Sequence, residues 1–165
     1  RISHKVVIMM FSKMLTRILV PYDGSKYSEK ALTRAMELAH NLDSEIFLFS
    51  VVYLDYIPSP GGLLGLTRGK SEKETMKKWA KLVRTDTEKM LKVAVKRCST
   101  KGISASYSIA HGNVANEILS FAENKRISLI VIGSLGLHGI GKLKTLGSVS
   151  RRVSEQAKCP VLLVR

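Results

Sequence analysis

The sequence has little of what holds a chain together by covalent or metal chemistry. Only two of its 165 residues are cysteine. Cys98 and Cys159 are far apart and fit neither a CxxC motif nor a Cys/His ligand spacing, so no zinc site or dithiol redox motif is indicated. They read as reduced thiols of a cytoplasmic protein. No apolar run approaches the roughly 18 residues that a spanning helix needs, so an integral membrane protein is not expected. The opening RISHKVVIMMFSKM is basic and briefly apolar, yet it has no small-residue cleavage site, and secretion is not expected either. Residues 1–13 are set aside as an N-terminal extension. Residues 14–165 are read as one domain, long enough to bury a core without staples.

Acidic residues are also scarce, 13 Asp and Glu against 27 Lys and Arg, for a net charge of +14. Such a surplus raises affinity for polyphosphates nonspecifically. Half of it is concentrated in one stretch, because Lys70 to Lys101 holds eleven basic and four acidic residues. With no RNA-binding aromatic motif or zinc-finger spacing beside it, this stretch reads as the solvated basic face of a helix. Nucleic acid is not the expected partner on that reading.

What the sequence does contain is an alternation. Arg17 to Pro21 (RILVP) is a short apolar strand that runs into the turn Asp23-Gly24. Ser25 can cap the helix that follows, in which Ala31, Leu32, Ala35, Leu38, Ala39 and Leu42 recur at helical spacing. Glu45 to Val52 is a second strand. Tyr53 to Lys70, with Pro58, Pro60 and Gly61-Gly62, reads as an irregular excursion. From Ser71 to Thr100 a long helix carries Met76, Trp79, Val83, Met90 and Ala94, with Gly102 as its stop. Ile103 to Ile109 is a third strand. Asn113 can cap a helix with Val114, Ile118, Leu119 and Ala122 on one face, and Ser128 to Ile132 is a fully apolar fourth strand. Ser148 can cap a short helix with Val149 and Val153 inward, and Pro160 to Val164 closes the chain as a fifth strand.

Strands and helices in this order specify an α/β fold: one five-stranded parallel sheet covered on both faces. The order 3-2-1-4-5 places the reversal of winding between strands one and four, where ligands bind beyond the carboxyl ends of the strands. Pro21 to Gly24 then lies beside Gly133 to Gly139.

That second stretch holds five glycines between Gly133 and Gly147. Glycines let a loop turn its N–H groups inward, and the helix starting at Ser148 offers an anion its amino end. Phosphate fits both features. A mobile surface loop that uses its glycines for turns is the alternative. Gly136 to Leu143 (GLHGIGKL) also matches the start of a P-loop, but Leu143 replaces the Ser or Thr that ligates Mg²⁺, and too little chain follows for a phosphoryl-transfer site.

From Met14 to Arg165 the chain resembles the universal stress protein family. The resemblance rests on ILVPYDGS followed by SEKAL, on HGNVANEIL, and on VIGSLGLHGIGKLKTLGSVS followed by CPVLLVR. The family implies a Rossmann-like adenine-nucleotide fold, and its ATP-binding members carry G-x2-G-x9-G-(S/T). Here Gly133-x2-Gly136 and Gly147-Ser148 are present, separated by ten residues rather than nine.

By that resemblance Asp23 sits on the ribose or phosphate side, with Gly24 completing its turn. Pro21 flanks the base, and Val51 offers backbone groups to adenine. Gly133, Gly136, Gly139, Gly147, Ser148 and Ser150 line the phosphate path, with Ser134, His138 and Val149 completing the set. Lys142, Lys144, Arg151 and Arg152 are secondary. His138 has no paired carboxylate or serine nucleophile, so it is not read as a general base. Asp23 could instead only organise its turn, and Val51 would be buried with or without a ligand.

The resulting expectation is a protein that binds ATP or AMP, with Mg²⁺ or Mn²⁺ held mainly by the phosphates. It would signal through conformation or partners, with slow hydrolysis at most. A homodimer through Val161 to Val164 is expected, since this strand is otherwise a bare edge and the family commonly pairs there. The extra loop residue keeps open a second reading, a dimeric interaction module without nucleotide.

Overall fold

The computed structural model describes residues 15–52, 70–135 and 146–165, with the side chains at 70–77 and 79 outside the description. Elements run in the order β1 (Arg17–Pro21), α1 (Lys26–Leu42), β2 (Glu45–Val52), α2 (Lys70–Ser99), β3 (Ala105–His111), α3 (Val114–Asn124), β4 (Leu129–Gly133), α4 (Ser148–Gln156) and β5 (Val161–Val164). All strand pairs are parallel, and the sheet order is β3-β2-β1-β4-β5. The expected order is therefore the one formed, with its switch between β1 and β4.

Alternation along the strands sorts the core into two layers. Ile18, Val20, Ile46, Leu48, Leu129 and Val131 face α1 and α2, where they meet Ala31, Leu32, Ala35, Leu91, Ala94 and Cys98. On the other face, Leu19, Phe49, Ile130 and Ile132 meet Ala115, Ile118 and Ala122 of α3 and Val153 of α4. Phe121 stacks on Phe49 at 4.4 Å and meets Phe47 edge-on at 6.3 Å. Strands covered on both faces read as continuous apolar runs, which is why β1 and β4 were plain in the sequence.

Helix starts follow local chemistry. Ser25 caps α1 by accepting from the N–H of Ser28, and Asn113 caps α3 by accepting from that of Asn116. The start of α4 differs from expectation. Gly147 occupies the cap position without any side-chain hydrogen bond, and Ser148 is the first helical residue, exposed to solvent. The hydroxyl engaged there is that of Ser150, which donates to the carbonyls of Ser134 and Gly147.

The bounds of β3 move most, while β4 and β5 shift by a single residue. The third strand begins at Ala105 rather than Ile103. Gly102, at φ +71°, reverses the chain, and the Ile103 N–H returns to the Cys98 carbonyl, closing α2. The strand then runs on to His111 because pairing with β2 continues to Val52. In α2 the inward residues are Leu91, Ala94 and Cys98, whereas Val83 is exposed. The irregular stretch expected from Tyr53 lies outside the described residues.

Candidate functional site

The crevice at the carboxyl end of the sheet is made by strands of unequal reach. Pro21, the last residue of β1, pairs with Phe49, whereas β2 runs three residues further beside β3. Backbone groups alternate sides along a parallel strand. The N–H of Glu45 bonds to Thr16 beside β1, the N–H of Ile46 to Ser104 beside β3, and the Phe49 carbonyl accepts from Tyr22. By the same alternation the N–H and C=O of Val51 point to the β1 side. No described strand pairs with β2 there. An acceptor and a donor of one residue therefore face the crevice, a pattern that one edge of a purine can match.

Across from Val51 the chain leaves β1 through Pro21-Tyr22-Asp23-Gly24. Tyr22 continues the inward alternation and is buried against α1 and α2, so Pro21 and Asp23 fall on the opposite side. The Asp23 carboxylate accepts from the Ser25 N–H at 3.0 Å, and Gly24 takes φ +76°, a conformation that glycine adopts without strain. The turn thus fixes both the Asp23 side chain and the start of α1.

Gly133 ends β4 and is buried. A Cβ there would lie 2.7 Å from the carbonyl carbon of Tyr27. It is glycine because the first turn of α1 crosses directly over β4, and this crossing brings the Asp23 turn next to the end of β4. Beyond it the Ser134 N–H bonds to Val164, and the Ser134 carbonyl accepts from Gly147, so the segments before and after the glycine loop are held together. The Ser134 side chain is 4% exposed, and its hydroxyl has no hydrogen-bond partner among the described residues. Buried hydroxyls without partners cost roughly 1–3 kcal/mol and are uncommon.

The amino end of α4 closes the crevice. With no side-chain cap at Gly147, the first-turn N–H groups of Ser148, Val149 and Ser150 have no acceptor within the helix, and the helix dipole adds partial positive charge. Here α4 meets the amino end of α3 around a cavity of about 280 Å³, lined by Asn113, Val114, Ala115, Ser148, Val149 and Arg152. Val51, Ala110, Val114 and Val149 pack on one apolar cluster, which gives this end of the sheet a greasy rim.

Pro21, Asp23, Gly24, Val51, Gly133, Ser134, Gly147, Ser148, Val149 and Ser150 are thus gathered at one end of the sheet. Gly136, His138, Gly139, Lys142 and Lys144 lie outside the described residues. Among the secondary candidates Arg152 lines the cavity, while Arg151 is exposed on α4. Asn113 and Val114 line it as well, which the sequence reading missed because it treated them only as a cap and a core position. Their place just after Gly112, at the end of a strand, was the available signal. Among the described residues no group of three or more His, Cys, Asp or Glu could hold a metal ion. The site offers an apolar wall, one backbone donor–acceptor edge, one carboxylate and one unshielded helix terminus.

The family model for the universal stress protein family matches residues 14–165. Universal stress protein YxiE of Bacillus subtilis is 36% identical over 156 residues, covering 94% of this chain and all of that protein. The solved structure of universal stress protein UspA from Lactobacillus plantarum superposes with a TM-score of 0.77 at 20% identity, covering 92% of this chain and 98% of that one. A universal stress protein of Archaeoglobus fulgidus, solved in complex with dAMP, gives a TM-score of 0.60 at 18% identity, covering 92% and 98%. The sheet order, the Asp-Gly turn after β1 and the match across nearly the whole chain agree, and the chain belongs to the universal stress protein family.

Proposed function

We propose that the crevice binds an adenine nucleotide, ATP or AMP, and that the protein acts as a nucleotide-dependent sensor rather than an efficient catalyst. The observation that carries this reading is the open edge of β2 at Val51, with its N–H and C=O directed toward the vacated end of β1. In the proposed complex adenine bonds to Val51 in the manner of one more strand, with Pro21 and Val149 against its faces. Asp23 accepts from a ribose hydroxyl. The phosphates reach the N–H groups of Ser148, Val149 and Ser150 and the Ser134 hydroxyl, which has no partner among the described residues. Gly136, His138 and Gly139 belong to the same phosphate path by resemblance. A Mg²⁺ or Mn²⁺ ion enters held by the phosphates, not by a protein cage. A solved structure of this fold carries dAMP and another carries cAMP, so the fold accommodates such ligands.

With no acid–base pair assigned to the crevice, hydrolysis is slow at most. Calorimetric titration with MgATP and with AMP tests the reading; saturable heat is expected, and none at millimolar nucleotide refutes it. The second reading, an interaction module without nucleotide, rests on the tenth residue between Gly136 and Gly147. Nucleotide released from heated purified protein and identified by mass spectrometry would exclude it. In both readings we propose a cytoplasmic homodimer joined through β5, an edge strand whose Leu162 is exposed. The basic α2 is not assigned to nucleic acid.

A further inference from the structure

The turn that carries Asp23 is held from below by a clasp that no part of the nucleotide reading uses. The buried Tyr22 hydroxyl donates to one carboxylate oxygen of Glu29 on α1. The other oxygen of Glu29 accepts from the Arg97 guanidinium of α2 at 2.6 Å. Two turns earlier on α2, Met90 fills the space beside Gly24, where a Cβ would lie 2.7 Å from its Sδ. One helix thus touches the turn at Gly24 and, through Glu29, at Tyr22. Both charges also suit their helices, Glu29 in the first turn of α1 and Arg97 in the last turn of α2.

A bidirectional acceptor of this kind has more to do than join two helices. Tyr22 lies between Pro21 and Asp23, and its N–H bonds to the Phe49 carbonyl. The residue is therefore pinned at backbone and hydroxyl alike, which leaves its neighbours few ways to face. Holding a polar group in its bound orientation before the ligand arrives lowers the ordering cost of binding. We propose that Glu29 and Arg97 are positioning residues for the nucleotide site, which orient Asp23 through Tyr22 and make α2 the element that sets the turn. This rests on the nucleotide reading above.

The experiment is a double-mutant cycle on ATP affinity, measured by calorimetry well below each variant's Tm. Glu29→Gln keeps the shape of the acceptor and removes its charge; Arg97→Met keeps the stem and removes the guanidinium. Each is expected to raise Kd about tenfold, with Arg97→Lys restoring much of the loss. Arg34→Met, which breaks a comparable pair with Glu37 on the surface of α1, is expected to leave Kd unchanged.

In an Asp23→Ala background the same two changes should alter Kd by less than about twofold, because their effect passes through the missing carboxylate. If Glu29→Gln does not fold, Arg97→Met, at a half-exposed side chain, carries the cycle. Equal losses with and without Asp23 would reduce the clasp to a structural tie and overturn the proposal, as would unchanged affinity in both single variants. Wild-type protein that binds no ATP would defeat the nucleotide reading itself, and this inference with it.

Discussion

A methyl group at Gly133 has nowhere to go, because the atoms it meets are the carbonyl group of Tyr27 and its Cβ, which is fixed to that backbone and cannot swing aside. Gly133→Ala is therefore expected to cost about 1–3 kcal/mol as overpacking, read as a lower urea midpoint with unchanged slope. This glycine was legible in the sequence as part of a glycine-rich run, but its reason was not. The run suggested close approach to phosphate, whereas Gly133 is required by a helix crossing, which only the third dimension reveals. Glu29 adds a pH dependence. Burial pushes its carboxyl up, but the hydrogen bonds from Tyr22 and Arg97 outweigh that and hold it below its ordinary value of 4.5. A carboxylate depressed by folding contributes stability that is present above its unfolded value and is lost as pH falls through the folded one. The difference in Tm between wild type and Glu29→Gln should thus be constant from pH 7 to about 5.5 and shrink below pH 4.5, as thermal melts across that range would show.

At the scale of elements, β1 and β4 were legible because a strand buried on both faces has no polar positions, and the capping of α1 and α3 because Ser25 and Asn113 act within their own segment. The helix α2 was legible in extent, and its apolar face at Met90 and Ala94 but not at Val83. A stripe through Val83 and Met90 fits helical spacing, yet Lys81 to Asp86 are all exposed, so no described residue buries this turn of the helix. Among the described side chains the apolar face packed on the core starts with Met90 and Leu91. Spacing alone cannot locate where a long helix leaves the sheet, because that depends on the lengths of β2 and β3. Val83→Ser should therefore change stability by less than about 0.5 kcal/mol, whereas Leu91→Ala should cost about 2–5 kcal/mol. Chemical denaturation of the two variants measures both. The start of α4 differs for a related reason: Ser148 and Ser150 are equally good hydroxyls in sequence, and the carbonyl of Ser134, a residue held by its N–H to Val164, selects Ser150.

For the whole molecule, sheet order followed from strand–helix alternation and the rule that winding reverses once, so the position of the crevice was readable before any coordinate. The register of β1 on β2, which ends their pairing at Pro21 and Phe49 and leaves Val51 beyond it, was not. The same sheet leaves β5 with one side paired to β4 and the other at the edge. A second copy joined there would extend the sheet, and an exposed apolar residue such as Leu162 would be covered. Against this stands a net charge of +14 on each copy, which opposes approach at low ionic strength. Because the Debye length shrinks from roughly 30 Å at 0.01 M salt to about 10 Å at 0.1 M, the dimer is expected to tighten as salt rises, opposite to any polyanion complex, which salt weakens. Sedimentation velocity in low and moderate salt measures the direction. Leu162→Lys places a charge at the centre of the strand pair and should leave a folded monomer at every salt concentration, whereas a dimer that survives it must use another face.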